Sequence, residues 1–323
     1  MPLLAILLCI KLAQILQGQT MSQHIKNSPN ILIGLISVLF CIVACEPPGT
    51  AVNAERSEAA EHVDAMSREH ADDVATPNEA ASIAPDQPVN TVKKMAYAEV
   101  EAEISHGHFV IPDDMIEPYP AIIVIHEWWG LNDGVRAMAD RLAALGYIVL
   151  AVDLYGGEIA TTPTEARDLM MKVVENPDRA VENIRQAYEF LRDTAGAPRI
   201  ASLGWCFGGG WSLNTALLFP DELDAAVIYY GQVTNSESKL EALNVPILGI
   251  FAAEDTSIPV QTVHGFEQAL KNLGKTYEIE IFPGVGHAFA NPTGRNYSAD
   301  AADKAWVQTV AFLDSYLTAS DEE

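Results

Sequence analysis

The sequence predicts an α/β domain with a mainly parallel central sheet flanked by helices, and three observations carry that prediction. From residue 121 onward, strand-like and helix-like segments alternate. The strand-like segments are short unbroken apolar runs such as Ala121-Ile122-Ile123-Val124-Ile125, the pattern of strands buried on both faces. Glu127, Cys206, Asp255 and His287 then stand just past the ends of such runs, where open parallel sheets gather reactive groups.

The globular region is expected over 92–323. It opens with two alternating segments, 97–104 and 108–111, read as paired strands. The buried run 121–125 follows, then an amphipathic helix over 135–145 ended by Gly146, and a second buried strand over 147–152. Two helices are expected over 164–175 and 177–195, then a strand over 199–203. The next helix begins near Gly208 and runs to about Phe219, because Pro220 cannot continue it. Strands over 225–230, 246–251 and 277–282 enclose a helix over 260–273, and a last helix covers 298–316.

The N-terminal part has a different composition. From Met21 the chain reads as a signal sequence: a short basic stretch with His24 and Lys26, an apolar run over 31–44, then Cys45. The run is short for a membrane span and long enough for a signal core. The tetrad Ile42-Val43-Ala44-Cys45 resembles the lipobox of bacterial lipoproteins, which implies lipidation of Cys45 and an exported, membrane-anchored or periplasmic protein. Residues 1–45 are therefore expected to be a leader. Residues 46–91 are rich in Ala, Glu, Asp, Ser and Pro and read as an acidic, disordered tether. The net charge of −25 argues against nucleic acid as a partner, since phosphate binding needs clustered Lys and Arg.

Of the four cysteines, Cys9, Cys41 and Cys45 fall in the leader, so Cys206 has no disulfide partner within the globular part. It lies in Gly204-Trp205-Cys206-Phe207-Gly208-Gly209-Gly210, the pattern of a nucleophile elbow. Small residues two before and two after the nucleophile let strand, turn and helix backbones approach closely. A thiol needs a base, and His287 in Gly284-Val285-Gly286-His287-Ala288-Phe289 is the best placed imidazole. Asp255 is the natural orienting carboxylate, with Glu254 beside it as an alternative. The order nucleophile, acid, histidine is that of α/β-hydrolases, in which backbone N–H groups form the oxyanion hole. Here those would belong to Phe207 and Trp128. His126-Glu127 opens like a zinc-protease motif, but Gly130 stands where the second histidine belongs, so neither metal nor other cofactor is expected. His106 and His108 share one face of a strand and are read as solvated.

With these residues and His126-Glu127-Trp128-Trp129-Gly130 in place, the chain resembles the dienelactone hydrolase family. The resemblance covers roughly 95–317 and implies an α/β-hydrolase fold. It implies attack of Cys206 on an ester, lactone or thioester carbonyl through a thioester acyl-enzyme, with Glu127 hydrogen-bonding the resting thiol. Family members that act on dienelactone bind its carboxylate with arginines, one of them four residues after the histidine. That position is Asn291 here, and a second arginine, on the helix before the nucleophile strand, corresponds to Arg167, which reads equally as a surface helix charge. Trp128, Trp129, Tyr155 and Phe289 would line an apolar pocket or belong to the core. The rival reading is a non-catalytic, surface-tethered binding protein that keeps the hydrolase fold.

Overall fold

A computed structural model describes residues 48–73, 85–113 and 118–318. The expected leader and Cys45 lie outside them. The described residues divide into two units at Ala60. Helix α1 (Pro48–Glu69) crosses the boundary, and its last turns, from Ala60, belong to the second unit. The expectation of a disordered stretch over 46–91 is corrected here: residues 48–69 are helical. Val63, Met66 and His70 fall at helical spacing and are buried, which gives the last turns a packed face in spite of the polar composition. Among the described residues no helix is long and apolar enough to cross a membrane.

The second unit is built on one eight-stranded sheet in the order β1-β2-β4-β3-β5-β6-β7-β8. Strands β1 (Val89–Val100) and β2 (Glu103–Pro112) form an antiparallel hairpin, and β2 pairs antiparallel with β4 (Ile148–Val152). The remaining strands, β3 (Ala121–Ile125), β5 (Ile200–Trp205), β6 (Ala225–Tyr229), β7 (Ile247–Ala252) and β8 (Tyr277–Phe282), are parallel to β4 and to one another. The sheet is thus mainly parallel and flanked by helices, the α/β-hydrolase architecture. The expected strand over 97–104 is in fact interrupted by the hairpin turn, where Glu101 and Ala102 take φ of 52° and 66°. That is the backbone of a two-residue hairpin turn, made without the Asn or Gly that usually marks it.

Every residue of β3 and β4 is buried, and so is every residue of β5, β6 and β7. Helices α2 (Asp133–Ala143), α3 (Pro163–Glu175), α4 (Pro177–Glu189), α5 (Phe207–Leu218), α6 (Glu237–Leu240), α7 (Val260–Asn272) and α8 (Ala299–Leu317) complete the unit. Asn132 caps α2 by accepting from the N–H groups of Gly134 and Val135, and Thr162 caps α3 through Glu165 N–H. The helix expected to reach 195 changes at Phe190 into a π-helical turn, Phe190–Thr194. The shift seats the Phe190 ring edge-on to Phe109 at 5.5 Å. His108 is not solvated, as expected, but buried and paired through Nε2 with Asp140 at 2.8 Å; His106 is exposed.

The chain runs from β3 outward to β4, then returns to the other side of β3 as β5. Connections therefore diverge beyond the carboxyl ends of β3 and β5 and leave a crevice there. Glu127 follows β3 by two residues and Cys206 directly follows β5.

Candidate active site

Cys206 occupies a backbone conformation that L-residues rarely adopt, with φ 58° and ψ −119°. Such a conformation costs on the order of 1–3 kcal/mol and persists only where its surroundings fix it. Here they do: Cys206 N–H donates to Tyr229 O at 2.9 Å, and Cys206 O accepts from Gly209 N–H at 3.0 Å and Gly210 N–H at 3.3 Å. The glycines of the motif are sterically required. A Cβ on Gly204 would land on the Gly208 carbonyl, and one on Gly208 would land on the Ile125 carbonyl. Strand β5, the turn and α5 are thus packed backbone to backbone. The thiol is left at the amino end of α5, where the helix dipole favours negative charge.

Asp255 lies beyond β7 and His287 beyond β8, and both are buried. Asp255 Oδ1 accepts the N–H groups of Ser257 and Ile258, each at 2.8 Å. Its Oδ2 takes His287 Nδ1 at 2.7 Å. The carboxylate is held by its own loop and holds the ring in turn, so Nδ1 carries the proton and Nε2 is left for another partner. Among the described residues Nε2 has no partner at hydrogen-bond geometry. Burial works against the charged ring, but the neighbouring Cys206 and Asp255 outweigh it and raise the His287 pKa well above the ordinary value. Glu254, the alternative carboxylate, is exposed.

Glu127 is buried too. Its Oε2 accepts Asn291 Nδ2–H at 2.7 Å. Burial raises its pKa to about 7, against the opposing pull of His287 and Asn291 and with help from Asp73. The neighbouring His126 fixes this turn. Its Nε2 accepts Leu154 N–H at 3.2 Å while Nδ1 lies 2.6 Å from Glu127 O, and burial lowers its pKa, so the ring is a neutral strut between the ends of β3 and β4. A cavity of about 480 Å³ opens above Cys206, His287 and Glu127, walled by Trp128, Trp129 and Asn291. Among the described residues no cluster of His, Cys, Asp or Glu could hold a metal ion.

The model of the "Dienelactone hydrolase family" matches residues 106–317. The chain belongs to the dienelactone hydrolase family. It is 34% identical over 206 residues to "Protein usf" of Aquifex pyrophilus, an alignment covering 62% of this chain and 89% of that one. It is 30% identical over 233 residues to a Saccharolobus solfataricus protein named "Putative carboxymethylenebutenolidase", covering 61% and 89%. A solved structure titled as a putative dienelactone hydrolase of Klebsiella pneumoniae superposes with a TM-score of 0.64 at 26% identity, covering 71% of this chain and all of that one. The protein is a hydrolase of this family.

Within the family framework, the structure departs from the expectations at three places, and Phe289 takes the core alternative. The Cys206 thiol contacts Met66 Sδ at 3.3 Å instead of Glu127, whose carboxylate is turned to Asn291. Arg167 lies outside the cavity and pairs with Asp64 at 2.6 Å, so it does not face a substrate. Tyr155 is buried against His126 and Phe207, with ring centroids 4.6 and 5.6 Å away, and is not among the residues that wall the cavity. Phe289 is wholly buried against Tyr230 and Phe282 and belongs to the core. Phe207 is the first residue of α5, so its N–H has no intrahelical acceptor, and Trp128 stands at the cavity wall. The sequence reading did not single out Arg295, which lines the rim, or His70 and Asp73, which reach it from beyond α1. The i, i+3, i+7 spacing of Val63, Met66 and His70 was the one available signal for the latter.

Proposed function

We propose that the protein hydrolyses carboxylic esters, lactones or thioesters with Cys206 as nucleophile. The observation that carries this reading is the buried Asp255–His287 pair, 2.7 Å long, placed beside a cysteine held on a nucleophile elbow. His287 Nε2 takes the thiol proton; the resulting imidazolium is stabilised by Asp255, in keeping with its raised pKa. The thiolate attacks the substrate carbonyl to form a tetrahedral oxyanion, which the N–H groups of Phe207 and Trp128 would receive. Collapse expels the alcohol oxygen, which takes its proton from His287, and leaves an acyl thioester on Cys206. Water then attacks the thioester, passing a proton to His287. The acid leaves and Cys206 is regenerated.

Glu127, with a pKa of about 7, is a second group able to exchange a proton near neutral pH. The names of relatives point to lactone opening, but Asn291 supplies no charge for a substrate carboxylate. We therefore assign neutral esters and lactones as the preferred class. The test is a panel of activated esters, lactones and thioesters, with and without a carboxylate, against wild type and Cys206→Ala. The reading predicts turnover that Cys206→Ala abolishes and a preference for uncharged substrates.

Export with lipidation at Cys45 remains part of the proposal, supported by the lipobox-like tetrad and the signal-like run before it. Metabolic labelling with a fatty acid, lost in Cys45→Ser, tests it. The expected partners are thus a small ester or lactone and a membrane.

A further inference from the structure

We propose that residues 60–73 are an intramolecular stopper that occupies the position of the reacting carbonyl and holds the site in a resting, occluded state. The proposal rests on Cys206 being the nucleophile. A carbonyl carbon must come within about 3–3.5 Å of the attacking atom. Met66 Sδ already lies 3.3 Å from Cys206 Sγ, and the Met66 side chain is fully buried. On the side of the thiol that Met66 covers an ester cannot approach, and His70 of the same segment lines the cavity that remains beside Cys206 and His287. One turn on, the His70 ring lies 5.1 Å from His287 and 5.5 Å from Trp128, covering the imidazole and the cavity wall.

The segment is fastened at its edges. Asp64 pairs with Arg167 at 2.6 Å, Ser257 donates its hydroxyl to Glu69, and Arg295 contacts both the Glu69 carbonyl and Asp73, the latter at 3.5 Å. His62 fits the same picture: burial and the charge of His287 lower its pKa to about 4, against the pull of Asp255, so it stands neutral beside the site. The ion pairs are partly exposed, with Asp64 44% and Arg167 37% accessible, and pairs of this kind hold weakly. Such fastening suits a segment that must come off. Its departure frees Arg295 at the rim and uncovers the thiol.

The test uses the full chain and three measurements: the rate of Cys206 alkylation by iodoacetamide, hydrolysis of p-nitrophenyl acetate, and amide hydrogen exchange over 60–73. Met66→Ala is expected to raise alkylation and hydrolysis about 10-fold or more, because truncating a buried methionine weakens docking by at least a tenfold shift in equilibrium. Asp64→Arg, remote from the thiol, is expected to raise both about 3-fold or more, with faster exchange over 60–73. The swapped pair Asp64→Arg with Arg167→Asp is expected to return them toward wild type. Alkylation of the wild type as fast as a free thiol would overturn the proposal. So would faster exchange over 60–73 with no change in alkylation. Faster alkylation in a protein that hydrolyses no ester would support the stopper and remove the hydrolytic reading instead.

Discussion

Asn291 donates from Nδ2 to Glu127 Oε2 across 2.7 Å, while the Cys206 thiol meets Met66 Sδ at 3.3 Å. The position four residues past His287 therefore serves an internal partner and presents no cation to the cavity. A first prediction follows for specificity. Asn291→Arg should raise kcat/KM for a carboxylate-bearing ester relative to its uncharged isostere by about 10-fold, the equivalent of roughly 1.4 kcal/mol, within the range of a charge-assisted hydrogen bond. Paired kinetics on the two esters measure the ratio.

Glu127 should leave a pH signature on stability. Its folded pKa is about 7 against an ordinary 4.5, so between those values the folded state binds more protons than the unfolded state and stability falls as pH rises. The burden is absent below 4.5 and complete above 7, and amounts to at most about 3 kcal/mol. Glu127→Gln should therefore be more stable than wild type at pH 8, with the gap closing toward pH 5. Denaturant midpoints for both proteins across that range check it.

The Asp255–His287 pair predicts a kinetic loss without a folding loss. Asp255→Asn keeps the acceptors for Ser257 and Ile258 N–H but no longer fixes the imidazole proton on Nδ1. A reduction in kcat of about 10³–10⁴ with little change in KM is expected. Steady-state kinetics, with circular dichroism to confirm the fold, measure it.

The elbow predicts a packing failure. Gly208→Ala drives a methyl group into the carbonyls of Ile125, the last residue of β3, and of His126 just past it. A loss of about 3 kcal/mol or more is expected from overpacking against backbone. Gly157→Ala tests the contrast, since nothing lies within 4 Å of a Cβ there and only its φ of 91° penalises the substitution. Thermal denaturation of the two variants should rank Gly208→Ala as the more damaging.

The parallel half of the sheet was legible because burial on both faces writes itself as unbroken apolar runs, and residues 121–125 and 225–229 are such runs. The elbow was legible for a related reason: Gly204 and Gly208 are demanded by backbone contact, so the residue types themselves report the geometry. Other features leave no such mark. The β1–β2 turn is formed by Glu101 and Ala102, whose identities carry no turn signal, because pairing over the two long strands outweighs the local cost of positive φ. Arg167 reads as a clamp by position and is an ion-pair partner of Asp64 by geometry, a pairing across 103 residues that spacing cannot reveal. The helix over residues 48–69 is hidden by its polar composition, since the contact that gives Met66 a role is made with Cys206, 140 residues away.

If Cys206 is the nucleophile, it carries the acyl group during turnover. The most direct test is mass spectrometry of the protein quenched during steady-state turnover of an activated ester. The expected result is a mass gain equal to the acyl group on the peptide containing Cys206, released by hydroxylamine and absent from Cys206→Ala, which is also inactive. Continued turnover by Cys206→Ala, with no adduct at residue 206 in the wild type, would contradict it.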